Sequence, residues 1–257
     1  MKLFSRIVGD GPDVLILHGL FGMNDNWNTL GKRWAEDCGM RMHMLDLRNH
    51  GQSPHSSEHS YTAMAEDVLQ YLDDNQIDSA IVMGHSMGGK VAMRLAVDHP
   101  SRVSKLVVVD IAPKGYPVHH QEIIDSLQSL NFDELSSRRD ADKKLAESMP
   151  NFAMRQFLLK SLHWEKENRL GWRFNLEAID KNIEMVGEAM ESQAHYDGET
   201  LFIRGEKSGY IKDGDMELIQ HHFKNAELHT VVGAGHWVHA EKPEEMYREI
   251  CEFLIEG

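Results

Sequence analysis

Short runs of apolar residues alternate along this chain with longer segments whose apolar residues recur at helical spacing. Helical spacing is clear at Val68, Leu69 and Leu72, and again near the end of the chain at Met246 and Ile250. Buried strands separated by helices typically form a parallel sheet that is covered on both faces. The alternation therefore predicts an α/β fold with a mainly parallel, doubly covered sheet.

The pattern also places the individual elements. The strand candidates are Val14–Leu17, Met42–Leu45, Ala80–Met83, Leu106–Val109, Leu201–Ile203 and Leu228–Val232. The helix candidates are Asn26–Asp37, Tyr61–Asn75, Met87–Asp98, Glu217–Phe223 and Pro243–Ile255. The first residues, around Leu3–Val8, are expected to pair as a hairpin through the turn sequence GDGP.

The alternation stops between about Lys114 and Tyr196, where helical patterns such as Phe152–Leu162 replace the strands. Residues 1–113 and 197–257 are therefore expected to form the core domain, with residues 114–196 inserted as a helical cap, or lid, above the strand ends. The alternative is a set of extra helices packed on the edge of the sheet.

Charge and cysteine content limit the partners and the location. The net charge of −14 disfavours nucleic acid and anionic membranes, which both require a basic face. No uninterrupted apolar stretch approaches the length of a membrane span, and the first residues lack the features of a signal peptide. Cys38 and Cys251 stand alone and far apart, so we expect two reduced packing cysteines and a cytoplasmic protein. The protein is expected to be a monomer or a homodimer.

Residues 81–92, IVMGHSMGGKVA, combine an apolar strand, the pattern G-x-S-x-G and a helix. In this context the serine lies on a sharp turn that exposes its hydroxyl, and the turn leaves no room for β-carbons at its glycines. The following helix directs its positive end toward an anion formed beside the serine. Ser86 is therefore the candidate nucleophile.

A serine hydroxyl needs a base to accept its proton, and that base is usually a neutral histidine. His236 follows a strand candidate and the loop VGAG, which places it near the carboxyl edge of the sheet. His239 is the weaker candidate for the base. No histidine spacing indicates a metal site.

A tetrahedral oxyanion requires two backbone donors. The amide of Met87, which follows the nucleophile, is one candidate, and the amide of Leu20 in the His-Gly turn of ILHGLFG is the other. His18 is expected to be a turn residue or part of the substrate pocket, together with Phe21 and Trp237. Asp46 and Arg48, in the loop DLRNHGQS, are expected to fix that loop, with a direct substrate role as the alternative.

The segments HGLFG, DLRNHGQS, GHSMGGK and GAGHWVHAEKP occur in this order, and with them nearly the whole chain resembles the α/β-hydrolase superfamily. Within it the chain resembles the YbfF-type esterases, and the match includes VDIAP and the lid segments QFLLKS and WRFN. The resemblance implies an α/β-hydrolase fold and a serine esterase or thioesterase. It also implies the catalytic order Ser, acid, His, and no cofactor.

The expected position of the catalytic acid departs from the usual superfamily pattern. The acid usually follows the seventh strand, where this chain reads LFIRGEKSGYI and has Ser208 at the expected place. Adjacent strands lie about 4.8 Å apart, so Asp110, at the end of the neighbouring strand, can reach the same imidazole. The resemblance to YbfF-type esterases implies this displaced acid, with Ser208 supporting it. Glu206, Asp213 or a turn-only Asp110 remain the alternatives.

These residues predict hydrolysis of a small-molecule carboxylic ester or acyl thioester, such as an acyl-CoA, through an acyl-enzyme. The same residues could instead cleave a carbon–carbon bond or perform perhydrolysis, and a non-catalytic ligand receptor is the alternative of another class. The acyl pocket is expected to be apolar, with walls from Phe152–Leu162, Trp164, Trp172 and Phe174. Basic residues near the lid could bind coenzyme A, or form a solvated helix face: Lys114, Arg138, Arg139, Lys143 and Lys144.

Overall fold

The computed structural model describes residues 1–117, 120–166 and 169–255. The strands are β1 Ser5–Val8, β2 Asp13–Leu17, β3 Arg41–Leu45, β4 Ala80–His85, β5 Val103–Val109, β6 Leu162–Lys166, β7 Arg169–Trp172, β8 Glu199–Gly205 and β9 Ala226–Val231. The α-helices are α1 Asn28–Cys38, α2 Tyr61–Asp74, α3 Met87–Asp98, α4 Gln121–Gln128, α5 Arg138–Leu145, α6 Phe152–Leu159, α7 Leu176–Lys181, α8 Ile183–Val186, α9 Met216–His222, α10 Val238–Glu241 and α11 Pro243–Ile255.

A seven-stranded sheet in the order β1-β3-β2-β4-β5-β8-β9 forms the centre of the molecule. Every neighbouring pair is parallel except β1 with β3, which confirms the mainly parallel sheet. The expected hairpin between β1 and the next strand is wrong, because β2 lies between β3 and β4. The connection between β1 and β2 passes close to the residues that precede β3. Gly9, at φ +80°, allows this close approach, because a β-carbon at Gly9 would lie 2.3 Å from the Met40 carbonyl oxygen.

Side chains of the central strands alternate between two hydrophobic layers. Along β4, Val82 joins the layer that contains α2 and α3, while Ile81 and Met83 join the layer that contains α1 and α11. Burying one such side chain stabilises the fold by about 1.5–3 kcal/mol. Packing into these two layers accounts for the apolar patterns of the strands and helices in the sequence. The predicted bounds of α3 and α11 are confirmed to the residue.

Residues 114–196, between β5 and β8, carry helices α4–α8 and most of a third hydrophobic cluster, which includes Leu127, Leu145 and Leu158 and also contains Phe21. The expectation of a segment without strands is wrong, because β6 and β7 form an antiparallel hairpin. The predicted helix Phe152–Leu162 stops at Leu159 for the same reason. Leu162 and Trp172 face each other across the hairpin and are both buried.

The expectation of two unpaired packing cysteines is also wrong. Cys38, the last residue of α1, and Cys251 in α11 form a disulfide with a Cα–Cα distance of 6.0 Å. The two helices pack on the same face of the sheet, which brings together residues 213 positions apart in sequence. The pairing removes the support that reduced cysteines gave to a cytoplasmic location. Within the described ranges, no helix is long and apolar enough to cross a membrane.

The parallel strands bring the residues that follow them to one edge of the sheet. Leu20 comes shortly after β2, Ser86 directly after β4, Asp110 directly after β5, and Ser208 and His236 shortly after β8 and β9. These five strands are consecutive in the sheet, in the order β2-β4-β5-β8-β9. Ligands of open α/β sheets bind at this carboxyl edge.

Candidate active site

Ser86 lies on a strained turn between β4 and α3, with φ +53° and ψ −118°. The glycines on either side are sterically required. A β-carbon on Gly84 would lie 2.0 Å from the Gly88 carbonyl oxygen, and one on Gly88 would lie 2.3 Å from that of Leu17. Such strain is retained where the surrounding structure imposes it, and here the turn presents the serine hydroxyl at the strand ends.

His236 connects Ser86 with Asp110. Its Nε2 lies 3.1 Å from the Ser86 Oγ, and its Nδ1 lies 2.7 Å from Asp110 Oδ2. A carboxylate accepts hydrogen bonds, so Nδ1 carries the proton donated to Asp110, and the Nε2 of a neutral ring is left to accept the proton of Ser86. The structure thus brings together the three residues that were predicted to act as nucleophile, base and acid.

Asp110 has no solvent exposure, and several hydrogen-bond donors stabilise its buried negative charge. The Ser208 hydroxyl donates to Oδ2, and the Gly205 amide donates to Oδ1 at 3.0 Å. The alternative acids have other partners: Glu206 accepts the amide of Gly233 at 2.8 Å, and Asp213 forms an ion pair with Arg204 at 2.6 Å. Neither of them contacts His236.

Leu20 and Met87, whose backbone amides are the predicted oxyanion donors, line a cavity together with Ser86. Neither amide donates a hydrogen bond within the part of the chain that the structure describes. The amide of Phe21, by contrast, donates to the Nε2 of His50 at 3.2 Å. Because the Phe21 donor is occupied, Leu20 remains the candidate oxyanion donor of this loop, as the sequence predicted.

Two buried histidines hold the loop that carries Leu20. His50 donates its Nδ1 proton to the Arg48 carbonyl at 2.9 Å, and His18 donates its own to the Gly19 carbonyl at 2.8 Å. The Nε2 of His18 accepts the amide of Leu47 at 3.0 Å. Burial lowers the pKa of both histidines, so the neutral rings serve as one donor and one acceptor each.

A cavity of about 310 Å³ opens beside Ser86 and His236. His18, Phe21 and Trp237, the predicted substrate-binding residues, all line it. Residues 114–196 contribute further wall residues: His120, Ile123, Met154 and Phe157. The predicted wall is wrong at three aromatic residues, because Trp164 is 54% exposed while Trp172 and Phe174 are buried in the hydrophobic cluster of residues 114–196.

A second, much smaller cavity, of about 20 Å³, lies on another side of Ser86. It shares four residues with the large cavity, namely Leu20, Ser86, His120 and Tyr210. Its remaining walls include Met87, Ile111 and Tyr116, together with Ile183 and Val186. Ser86 thus lies where a large and a small cavity meet.

The chain is similar to a family model, to several relatives and to solved structures. The model described as alpha/beta hydrolase fold matches residues 12–161. The chain belongs to the α/β-hydrolase family. This α/β-hydrolase is 38% identical to the sn-1-specific diacylglycerol lipase ABHD11 of Xenopus laevis over 95% of this chain and 80% of that protein.

The resemblance to YbfF-type esterases is likewise confirmed. Esterase YbfF of Escherichia coli is 37% identical over 94% of this chain and 92% of its own length. A solved structure titled marine microorganism esterase superposes with a TM-score of 0.95 at 36% identity, covering 98% of this chain and 99% of that one. The predicted α/β-hydrolase fold is thereby confirmed.

Sequence reasoning missed two aromatic neighbours of the base in this α/β-hydrolase. Tyr210 stacks on the His236 ring with a centroid distance of 4.1 Å. His85, the variable residue of the elbow, lies 4.7 Å from the same ring and donates from Nε2 to the His236 carbonyl at 2.9 Å. Burial, and then the neighbouring His236 and His239, hold the pKa of His85 well below its usual value. His85 adjoins Ser86 in the chain, which was an available signal, whereas the sequence pattern does not place Tyr210 against His236.

The remaining candidates have structural partners. Asp46 accepts the amides of Asn24 at 2.6 Å and Gln52 at 2.8 Å, as expected of a residue that fixes its loop. Arg48 pairs with Asp67 at 2.6 Å. His239 stacks on Trp27, and burial lowers its pKa to about 3.

The basic residues near the lid lie away from the large cavity, as the described chain shows. Lys114 pairs with Asp215, Lys144 pairs with Glu147 at 2.6 Å, and Arg138 donates to a backbone carbonyl. Across the described ranges, no group of three or more His, Cys, Asp or Glu side chains could hold a metal ion.

Proposed function

We propose that this α/β-hydrolase hydrolyses carboxylic esters of small molecules through an acyl-enzyme formed on Ser86. The observation that carries the proposal is the position of His236, whose two ring nitrogens lie 3.1 Å from the Ser86 hydroxyl and 2.7 Å from the Asp110 carboxylate. The similarity to proteins named esterase and lipase supports the same reaction class.

In the first half of the reaction, His236 accepts the proton of Ser86 while the Ser86 oxygen attacks the ester carbonyl carbon. Asp110 stabilises the imidazolium that forms, and it does not need to be protonated itself. The amides of Leu20 and Met87 donate to the oxyanion. Loss of one such donor in a hydrolase typically lowers kcat by about 10²–10³.

The tetrahedral intermediate then collapses as His236 gives its proton to the leaving alkoxide, and the alcohol departs. A water molecule enters, loses its proton to His236 and attacks the acyl carbon. The second collapse returns the proton to Ser86 and releases the acid. Every proton passes through the Nε2 of His236, which explains why its Nδ1 must be held by Asp110.

The walls of the large cavity favour an apolar substrate with a neutral leaving group. Phe21, Trp27, Phe157 and Trp237 supply aromatic surface, and no Lys or Arg of the described chain lines the cavity. An ester of a hydrophobic alcohol fits this lining better than an acyl thioester of the polyanionic coenzyme A. We also propose that residues 114–196 act as a lid, because Met154 and Phe157 cover the cavity from that segment.

The test is ester hydrolysis by Ser86→Ala. With p-nitrophenyl acetate, kcat should fall by at least ~10³ because the attacking oxygen is lost. Ser192→Ala, at an exposed position remote from the cavity, is the matched control and should stay within about twofold of the wild type. Circular dichroism should show both variants folded. Retained activity in folded Ser86→Ala would refute the proposal.

A further inference from the structure

The two cavities beside Ser86 differ in size by more than tenfold, about 310 Å³ against about 20 Å³. The carbonyl carbon of an ester carries two substituents, the acyl group and the alkoxy group. The carbonyl oxygen is directed to the amides of Leu20 and Met87, which lie beside the small cavity, and the two substituents then have one cavity each beside Ser86. The site therefore distinguishes the two sides of an ester by size.

The position of His236 decides which substituent enters which cavity. The leaving alkoxide must receive its proton from Nε2, so the alkoxy group must lie on the His236 side of the carbonyl carbon. His236 and Trp237 line the large cavity, and neither lines the small one. The alcohol therefore belongs in the large cavity and the acyl group in the small one.

The volume of the small cavity limits the acyl group. The small cavity, at about 20 Å³, offers far less space than the large one, at about 310 Å³, so it admits a much shorter substituent. A methyl group fits such a space more readily than a propyl chain. The large cavity lies at the lower end of the range of about 300–1,000 Å³ that is typical of ligand pockets.

The walls of the small cavity are fastened by hydrogen bonds. Tyr116 donates its hydroxyl to the Tyr210 carbonyl at 2.7 Å and accepts the Ala112 amide at 2.8 Å. Tyr61 donates to the Val186 carbonyl at 2.7 Å. Moving these walls apart would break such bonds, so the wild-type cavity does not expand readily around a longer acyl chain.

Resting on the function proposed above, we propose that this protein is selective for short-acyl esters, typified by acetates, of bulky apolar alcohols. The acetyl carbon bonds to the Ser86 oxygen, the bond to the alkoxy oxygen breaks, and the alcohol leaves with the proton from His236. Water then releases acetate. Selectivity arises because the small cavity rejects long acyl groups while the large cavity binds the alcohol.

Two substrate series test the inference on the wild-type protein. In p-nitrophenyl esters of increasing acyl length, kcat/KM should fall by at least ~10-fold from acetate to butyrate, and further to octanoate. In acetates of ethanol, butanol and hexanol, kcat/KM should rise by up to about fourfold for each methylene buried in the large cavity. The alcohol series is followed by acid release at constant pH.

Two variants assign these preferences to the two cavities. Val186→Ala enlarges the small cavity and should reduce the preference for acetate over butyrate by at least ~3-fold, leaving the alcohol preference unchanged. Phe157→Ala widens the large cavity and should weaken the preference for hexyl over ethyl acetate, leaving the acyl preference unchanged. The wild-type series provides the test even if one variant folds poorly.

A wild-type preference that rises with acyl length, or that is the same in both series, would overturn the inference. An acyl preference that responds to Phe157→Ala instead of Val186→Ala would overturn it as well. These failures differ from failure of the proposed function, because ester hydrolysis that depends on Ser86 would persist in each of them.

Discussion

Asp110→Asn probes the arrangement around His236 without changing the shape of the side chain. The carboxylate accepts from His236 and Ser208 through Oδ2, and from the Gly205 amide through Oδ1. An asparagine cannot match all three donors. If its NH₂ group replaces Oδ2, it faces the His236 Nδ1 and forces the proton onto Nε2, and if it replaces Oδ1, it opposes the Gly205 amide.

Either orientation of the amide weakens the base. A proton on Nε2 prevents acceptance of the Ser86 proton, and a neutral amide no longer stabilises the imidazolium. For a triad carboxylate, the expected loss in kcat is about 10²–10⁴ near neutral pH. This corresponds to a rise in the activation free energy of about 3–5 kcal/mol.

The assay is the kcat of p-nitrophenyl acetate hydrolysis at pH 7, with thermal unfolding as a check on the fold. Glu206→Gln and Asp213→Asn are the matched controls, because each carboxylate lies near the end of β8 without contacting His236, and each should cost less than about threefold. If one of these controls abolishes activity while Asp110→Asn is mild, Asp110 is a turn residue and the assignment of the acid is refuted.

Three further predictions concern stability and motion. Cys38→Ser should lower the free energy of unfolding in urea by about 2–4 kcal/mol, and a reducing agent should destabilise the wild type but not the variant. Residues 114–196 should exchange amide hydrogens faster than β5, since a lid must open, and equal protection would count against a lid. Burial lowers the pKa of His59 to about 4, so its unfolded form binds the extra proton below pH 6.5. His59 should therefore contribute about 2 kcal/mol to the fall in the free energy of unfolding from pH 7 to pH 5, in addition to the contributions of the other buried histidines. His59→Phe should reduce the fall by that amount, whereas His55→Gln, at an exposed position, should leave it unchanged.

The fold could be predicted wherever one local pattern decided it. The run Leu106–Val109 was predicted correctly because its side chains are buried on both faces of the sheet, and helix Met87–Asp98 because one continuous apolar pattern packs it against that sheet. The pairing of Cys38 with Cys251 could not be predicted, because it depends on two helices that meet across the fold. The hairpin of β6 and β7 was missed because its alternation is short and interrupted by charged residues.

The same distinction holds for the candidate site, where some residues could be predicted from the sequence and others could not. Ser86, His236 and Asp110 follow strands, so their order along the chain and the topology of a parallel sheet are enough to bring them together. Tyr210 gave no such signal, since its contact with His236 depends on the path of the loop after β8. The aromatic walls were misplaced for a related reason, because Trp164 and Trp172 lie in the hairpin of β6 and β7, which the sequence pattern did not predict.

The most direct test of the central claim is mass spectrometry of the protein after reaction with an alkyl fluorophosphonate. We expect one covalent adduct, located at Ser86, because within the chain that the structure describes Ser86 alone combines a hydroxyl that lines the large cavity with a histidine base at 3.1 Å and two free backbone donors. Adduct formation and loss of ester hydrolysis should proceed in parallel. An adduct at another residue, or ester hydrolysis that persists after Ser86 is fully modified, would contradict it.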